Sequence, residues 1–143
     1  MIQRIQTIFL ALATMAAGGL LGLPFASTPE AEANSSLFAD QVFNINDHMV
    51  LLVTFLLAGV FSLIAIFLFK NRKLQMNLSI MAIIATIIGL GFGLFIFLGD
   101  PEHGDAGFEI GSLMPVLILI FIILGWRSIK KDDKLVRSMD RLR

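Results

Sequence analysis

Residues 117–143 read LILIFIILGWRSIKKDDKLVRSMDRLR. Eight apolar residues, 117–124, meet a charged end within three positions, and Trp126 stands at the junction. An amphipathic indole prefers the headgroup layer, and Lys and Arg collect on the cytoplasmic side of a bilayer. This stretch therefore places the chain in a membrane and sets its direction. Composition agrees. Hydrophobic residues make up 57% of the 143 positions, mean hydropathy is +0.85, and a soluble domain averages about 45–50% apolar. There is no cysteine, which excludes disulfides, thiol chemistry and Cys-ligated metal.

Working back from the tail, four apolar stretches have the length of a membrane helix: residues 5–23, 48–69, 76–98 and 110–126. The first, at about 1.5 Å per residue, spans roughly 28 Å, close to a hydrocarbon core of about 30 Å. A cleaved leader is the rival reading, since Ala31-Glu32-Ala33 has the small-x-small form of a leader-peptidase site. The third and fourth stretches flank an outer loop, 99–109. The first and second flank a longer one, 24–47, where Phe38, Val42 and Ile45 recur at helical spacing and either lie on the outer leaflet or cap the bundle. Asn46 or Asp47 is expected to cap the second helix, and Ser112 the fourth, with Pro115 in its first turn. Lys70, Asn71, Arg72 and Lys73 form a short basic hairpin between the middle two.

Charge distribution tests this threading. All eleven Lys and Arg residues fall on one side, and eight of the eleven acids on the other. Asp132, Asp133 and Asp140 alone accompany the basic group, so the inner side carries +8 and the outer side −8. The expected fold is all-α: an integral membrane four-helix bundle forming one domain, with both termini and the tail 127–143 cytoplasmic. It is expected to pass through the membrane several times.

Candidate functional residues are few. Gly18 and Gly22, and Gly89 and Gly93, stand four apart and suit close helix packing. Asp100, Glu102, His103, Asp105 and Glu109 crowd the second outer loop, but lack the alternating pattern of a calcium loop and read as a solvated turn. His48 reads as an interfacial residue. Thr54 and Ser62 can bond back to their own helix. Apart from His48 at the edge of the second, no ionisable side chain lies within the four stretches, which argues against an ion-coupled carrier or buried haem ligation. No catalytic residue, cofactor or metal site is expected, and an enzyme is not. In the tail, Leu135, Val136, Met139 and Leu142 recur at helical spacing, and Asp133 stands four before Arg137. Trp126, Lys130, Lys131, Lys134, Arg137 and Arg141 are the expected membrane-interface or docking residues, for anionic lipid or another protein and not for nucleic acid.

The two ends carry a resemblance. MIQRIQTIFL at residues 1–10, through Gln3, Arg4 and Gln6, and IKKDDKLVRSMDRLR at residues 129–143, through Lys134, Leu135, Val136, Arg137, Asp140 and Arg141, resemble domain of unknown function family 4293, small membrane proteins of Bacteroidota. The resemblance implies a retained first helix and an inner-membrane location. It brings no activity. The sequence leaves a small accessory or scaffold subunit of an inner-membrane assembly as the first expectation. The alternative is a protein that binds or passively transports lipid or an apolar solute.

Overall fold

The computed structural model describes residues 3–31 and 35–140. Four helices follow one another: α1 Gln3–Gly19, α2 Met49–Phe67, α3 Arg72–Gly99 and α4 Met114–Asp140. Each packs on its chain neighbours, and α4 closes the ring against α1. The result is an up-down-up-down bundle. Three helical stretches, Met49–Phe67, Arg72–Gly99 and Ile110–Met139, are long and apolar enough to cross a membrane; the helical apolar stretch Ile5–Gly19 is shorter.

A heptad stripe on every helix explains the packing. Buried residues run Gln6, Leu10, Ala13, Ala17 and Leu20 along and just past α1, and Leu51, Phe55, Ala58, Ser62 and Ala65 along α2. They run Gln75, Ser79, Ala82, Thr86 and Gly89 along α3, and Pro115, Ile118, Ile122, Gly125, Ile129 and Asp132 along α4. Steps of three and four keep one seam inward, the knobs-into-holes geometry of a bundle crossing at small angles. Many of these residues are small, which lets backbones approach without a hydrophobic driving force between helices. The hydroxyls on the seam bond one turn back: Ser62 Oγ to Ala58 O at 2.8 Å, Ser79 Oγ to Gln75 O at 2.9 Å, Thr86 Oγ1 to Ala82 O at 2.8 Å. The outward face is apolar: Leu56, Leu63, Ile84, Ile88 and Phe95 are all exposed.

The ends of the helices depart from expectation. α1 stops at Gly19, not residue 23. Two glycines disfavour helix, the chain turns with Leu21 N–H bonding Gly18 O and Gly22 N–H bonding Gly19 O, and Pro24 has no N–H to offer. α3 begins at Arg72, four residues early, because Asn71 Oδ1 accepts from Leu74 N–H at 3.2 Å. α4 runs without a break from Met114 through the charged tail to Asp140. Neither expected cap forms. Asp47 Oδ2 accepts from Asn44 N–H, closing the 3-10 turn Ile45–Asp47 instead of capping α2, which begins after His48. Ser112 Oγ donates to Glu109 O at 2.7 Å within the 3-10 turn Ile110–Leu113.

The loops 24–47 and 99–109 hold structure that an all-α reading omits. Three two-residue strands, β1 Ala26–Ser27, β2 Val42–Phe43 and β3 Gly107–Phe108, form an antiparallel sheet in the order β2-β1-β3. β1 and β2 come from the first loop and β3 from the second, with Ala26 opposite both Phe43 and Phe108. Phe25 N–H bonds Phe43 O at 2.7 Å, and Glu109 N–H bonds Phe25 O at 3.0 Å. Val42 therefore lies on a strand, and the helical spacing of Phe38, Val42 and Ile45 reflects no helix. Phe38 and Ile45 are buried against the end of the bundle, so this segment caps it.

Candidate functional site

Beneath the sheet lies an apolar cleft of about 60 Å³. Its roof is Phe25, Phe43 and Phe108 from the loops; its walls are Leu51 and Phe55 of α2, Leu90, Leu94 and Phe97 of α3, and Pro115 of α4. The rings form a connected cluster. Phe25 and Phe43 lie 5.2 Å apart, Phe43 and Phe97 stack at 6.3 Å, Phe97 and Phe108 lie 5.4 Å apart, and Phe25 reaches Phe55 at 6.1 Å. Such pairs contribute about 0.5–1.5 kcal/mol each beyond the area they bury. The cleft presents almost no polar atom. It can hold the end of a hydrocarbon chain, but is smaller than the roughly 150 Å³ apolar cavity that admits a benzene ring.

Gly89 and Gly93 both border this cleft. A Cβ on Gly89 would lie 2.6 Å from Thr54 Oγ1 and 3.0 Å from the Phe55 ring, and one on Gly93 would lie 3.3 Å from Leu51 Cδ2. These two glycines set the approach of α3 to α2, and with it the width of the cleft. Gly18 and Gly22 differ. Gly22 lies beyond the last helical residue, both are exposed, and a Cβ on either would meet nothing within 4 Å. They form no packing face in this chain. The close approach of α1 to α2 is made by Gly59, whose Cβ would lie 3.0 Å from Ala17 Cβ. A lone glycine with no partner four residues away carries no motif, although its place beside Ala58 on the seam was available.

The acidic loop is absorbed into the cap. Asp100 is buried, and its Oδ2 accepts from Ser35 Oγ at 2.8 Å, while Ser35 Oγ accepts from the N–H groups of Leu37 and Phe38. Glu109 Oε1 accepts from Ser27 Oγ at 2.8 Å. His103 Nδ1 lies 2.6 Å from Asp100 O, a bond in which the ring nitrogen donates. Among the described residues no three of these side chains converge as metal ligands. His48 stands edge-on to Phe92 at 5.0 Å. Asp47, beside it, has its carboxyl pushed above the ordinary value near 3.8, first by loss of water around it and then by Asp40, against the pull of the Asn44 N–H.

At the other end, Lys130, Lys131, Lys134 and Arg137 are exposed along α4. Arg137 Nε bonds Asp133 Oδ2 at 2.9 Å, the pair expected from their spacing. Lys130 Nζ lies 4.7 Å over the Trp126 ring, and the Trp126 indole nitrogen is buried without an acceptor. Arg141, and the candidate cleavage site at Ala33, lie outside the described residues. Phe69, Lys70, Asn71, Arg72 and Lys73 form an open cationic cleft of about 510 Å³ against Asp133 and Val136 of α4. Sequence reasoning missed three buried polar residues at this end, Gln6, Gln75 and Asp132. Asp132 read as part of a solvated tail, yet its three-residue step from Ile129 continues the seam of Ile118, Ile122 and Gly125, and that register was the signal.

No curated protein and no solved structure matches the chain. The family model described as Domain of unknown function (DUF4293) matches residues 2–142. The resemblance of the two ends thus extends over nearly the whole length, and the chain belongs to the DUF4293 family.

Proposed function

We propose that this protein is a multi-pass protein of a bacterial inner membrane that seats the end of an apolar chain, a lipid tail above all, in the cleft under its outer cap. One observation carries the reading: an almost wholly apolar cleft opens beside Gly89 and Gly93 beneath a roof of phenylalanines. All four helices cross the bilayer in this reading, with both termini cytoplasmic. Its supports are the exposed apolar faces of α2 and α3, the one-sided distribution of Lys and Arg, and membership of the family. α1 has 17 residues and spans about 26 Å, short of a core of about 30 Å; the turn at Leu20–Leu23 makes up the difference.

The test is native mass spectrometry of protein extracted with its own lipid. A reproducible lipid, lost in Gly93→Leu and in Leu90→Trp variants that still fold, is the expected result. Retention of the same lipid by both folded variants refutes the cleft as its seat.

A second reading has its own support. Beyond the apolar part of α4, Leu135 and Met139 are 44% and 64% exposed, beside exposed Lys134 and Arg137. An apolar strip on a cationic helix suits docking of another protein, as for a subunit of a larger assembly. In that case a second protein co-purifies, and Arg137→Glu with Lys134→Glu removes it.

A further inference from the structure

The inner end of the bundle holds buried polar atoms that the fold leaves unanswered. Gln6, Gln75 and Asp132 are 1%, 0% and 5% exposed. Gln6 Oε1, Gln75 Oε1 and both carboxylate oxygens of Asp132 are buried and accept no hydrogen bond. All four are acceptors. The Gln75 amide cannot turn to relieve this, because its Nε2 already donates to Ala65 O at 2.9 Å.

The residues that carry these oxygens occupy the same end of the helical seam. Leu10, Ala65 and Ile129 form a single buried cluster joining α1, α2 and α4. Gln6 lies one turn inward of Leu10, Asp132 one turn inward of Ile129, and Gln75 is bonded to Ala65 itself. Arg72, one turn before Gln75, reaches the main-chain oxygen of Asp132 at 3.5 Å. Helical Cα–Cβ bonds tilt toward the N-terminus of their helix. Gln6 and Gln75 therefore lean inward along their helices while Asp132, on the antiparallel α4, leans outward to meet them.

A carboxylate taken out of water needs a counter-charge or donors, and amide oxygens need donors too. The Arg72 guanidinium serves the Asp132 main chain rather than its carboxylate. We infer that Gln6, Gln75 and Asp132 form a binding site for a monovalent metal cation, sodium in particular. Hard oxygen ligands select alkali and alkaline-earth ions over transition metals. One carboxylate with neutral amides balances one positive charge, and Arg72 nearby disfavours a second. A full carboxylate charge concentrated among few buried oxygens makes a strong-field site, and a strong field is what repays the larger dehydration cost of the smaller alkali ion.

The test is thermal unfolding of the intact protein in lipid nanodiscs, in sodium, potassium and choline chloride at one ionic strength. Trp126, the only tryptophan, gives the signal. Wild type is expected to gain a saturable rise in Tm with sodium and none with choline. Asp132→Asn, equal in shape, is expected to weaken sodium by more than the roughly 10–100-fold that loss of a supporting partner costs a metal site. Asp133→Asn, on the exposed side of α4, is expected to keep the wild-type response. Coincident wild-type curves in the three salts overturn the site, as does a sodium response surviving in folded Asp132→Asn. Should Asp132→Asn not fold, Gln6→Met keeps the volume and removes one ligand; an unchanged sodium midpoint there overturns the site equally.

Discussion

Gly111→Ala isolates the contact on which the outer cap rests. Gly111 opens the turn into α4, and the backbone of residues 23–24 crosses directly over its Cα. A Cβ there would lie 2.6 Å from Pro24 C and 2.7 Å from Leu23 O, and closer still to Pro24 O. No glycine in the described chain has a positive φ, so alanine meets no conformational penalty at Gly111 and the effect is purely steric. The atoms in the way are main chain, and they are held. The next residue, Phe25, donates to Phe43 O and accepts from Glu109 N–H, so moving Pro24 pulls on both strand pairings. Overpacking by one methyl costs about 1–3 kcal/mol, and loss of two hydrogen bonds adds about 1 kcal/mol each. The expected loss is about 3–5 kcal/mol, or roughly 10–17 °C in Tm for a chain of this size. Thermal unfolding in nanodiscs measures it. Gly107→Ala is the control, since its Cβ would meet only Ser27 O at an ordinary 3.9 Å. Equal Tm values for the two variants refute the close approach of Leu23–Pro24 to α4.

Three further outcomes follow from named contacts. Gly89→Ala drives a methyl into Thr54 and Phe55 and is expected to cost about 1–3 kcal/mol, whereas Gly91→Ala, with nothing within 4 Å, should be neutral or gain up to about 1 kcal/mol from helix propensity; parallel melts distinguish them. Arg137→Ala removes an ion pair whose arginine is 71% exposed, so stability should change by less than about 0.5 kcal/mol in a denaturation series. Asp47 holds its proton to higher pH when folded than when unfolded. The folded state then binds more protons between the two values, and stability falls as pH rises from about 3.8 through the folded value, then levels. Asp47→Asn should flatten that fall in a pH series of melts.

The parts of the fold visible in the sequence were those written in composition along the chain. The tight turn between α2 and α3 and the Asp133–Arg137 pair depend on near neighbours, and the structure has both, although Arg72 and Lys73 fall inside α3 rather than in the turn. The outer sheet depends on pairing Ala26 with Phe108, and two-residue strands carry no periodicity to announce it. The acids at Asp100 and Glu109 read as a solvated turn because their partners, Ser35 and Ser27, lie far away in the chain, yet Asp100 is buried. Asp132 was hidden for a different reason. Apolarity ends at Leu124 but the helix does not, so the buried seam outlasts the hydrophobic signal and carries a carboxylate inside.

The sheet also bears on how the chain is made. β1 can pair with β2 once the first loop is synthesised, because both belong to the same connection. Its bond to β3 must wait until α3 has been made and the second loop has followed it. The central strand thus keeps an open edge through much of biogenesis, and a long loop must close before that edge is satisfied. Gly111 sits at the place where closure happens, immediately before α4. A chain that ends before Gly107 has only one of the two pairings of β1. An unpaired strand edge invites pairing with another chain, and so distinguishes unfinished copies from finished ones.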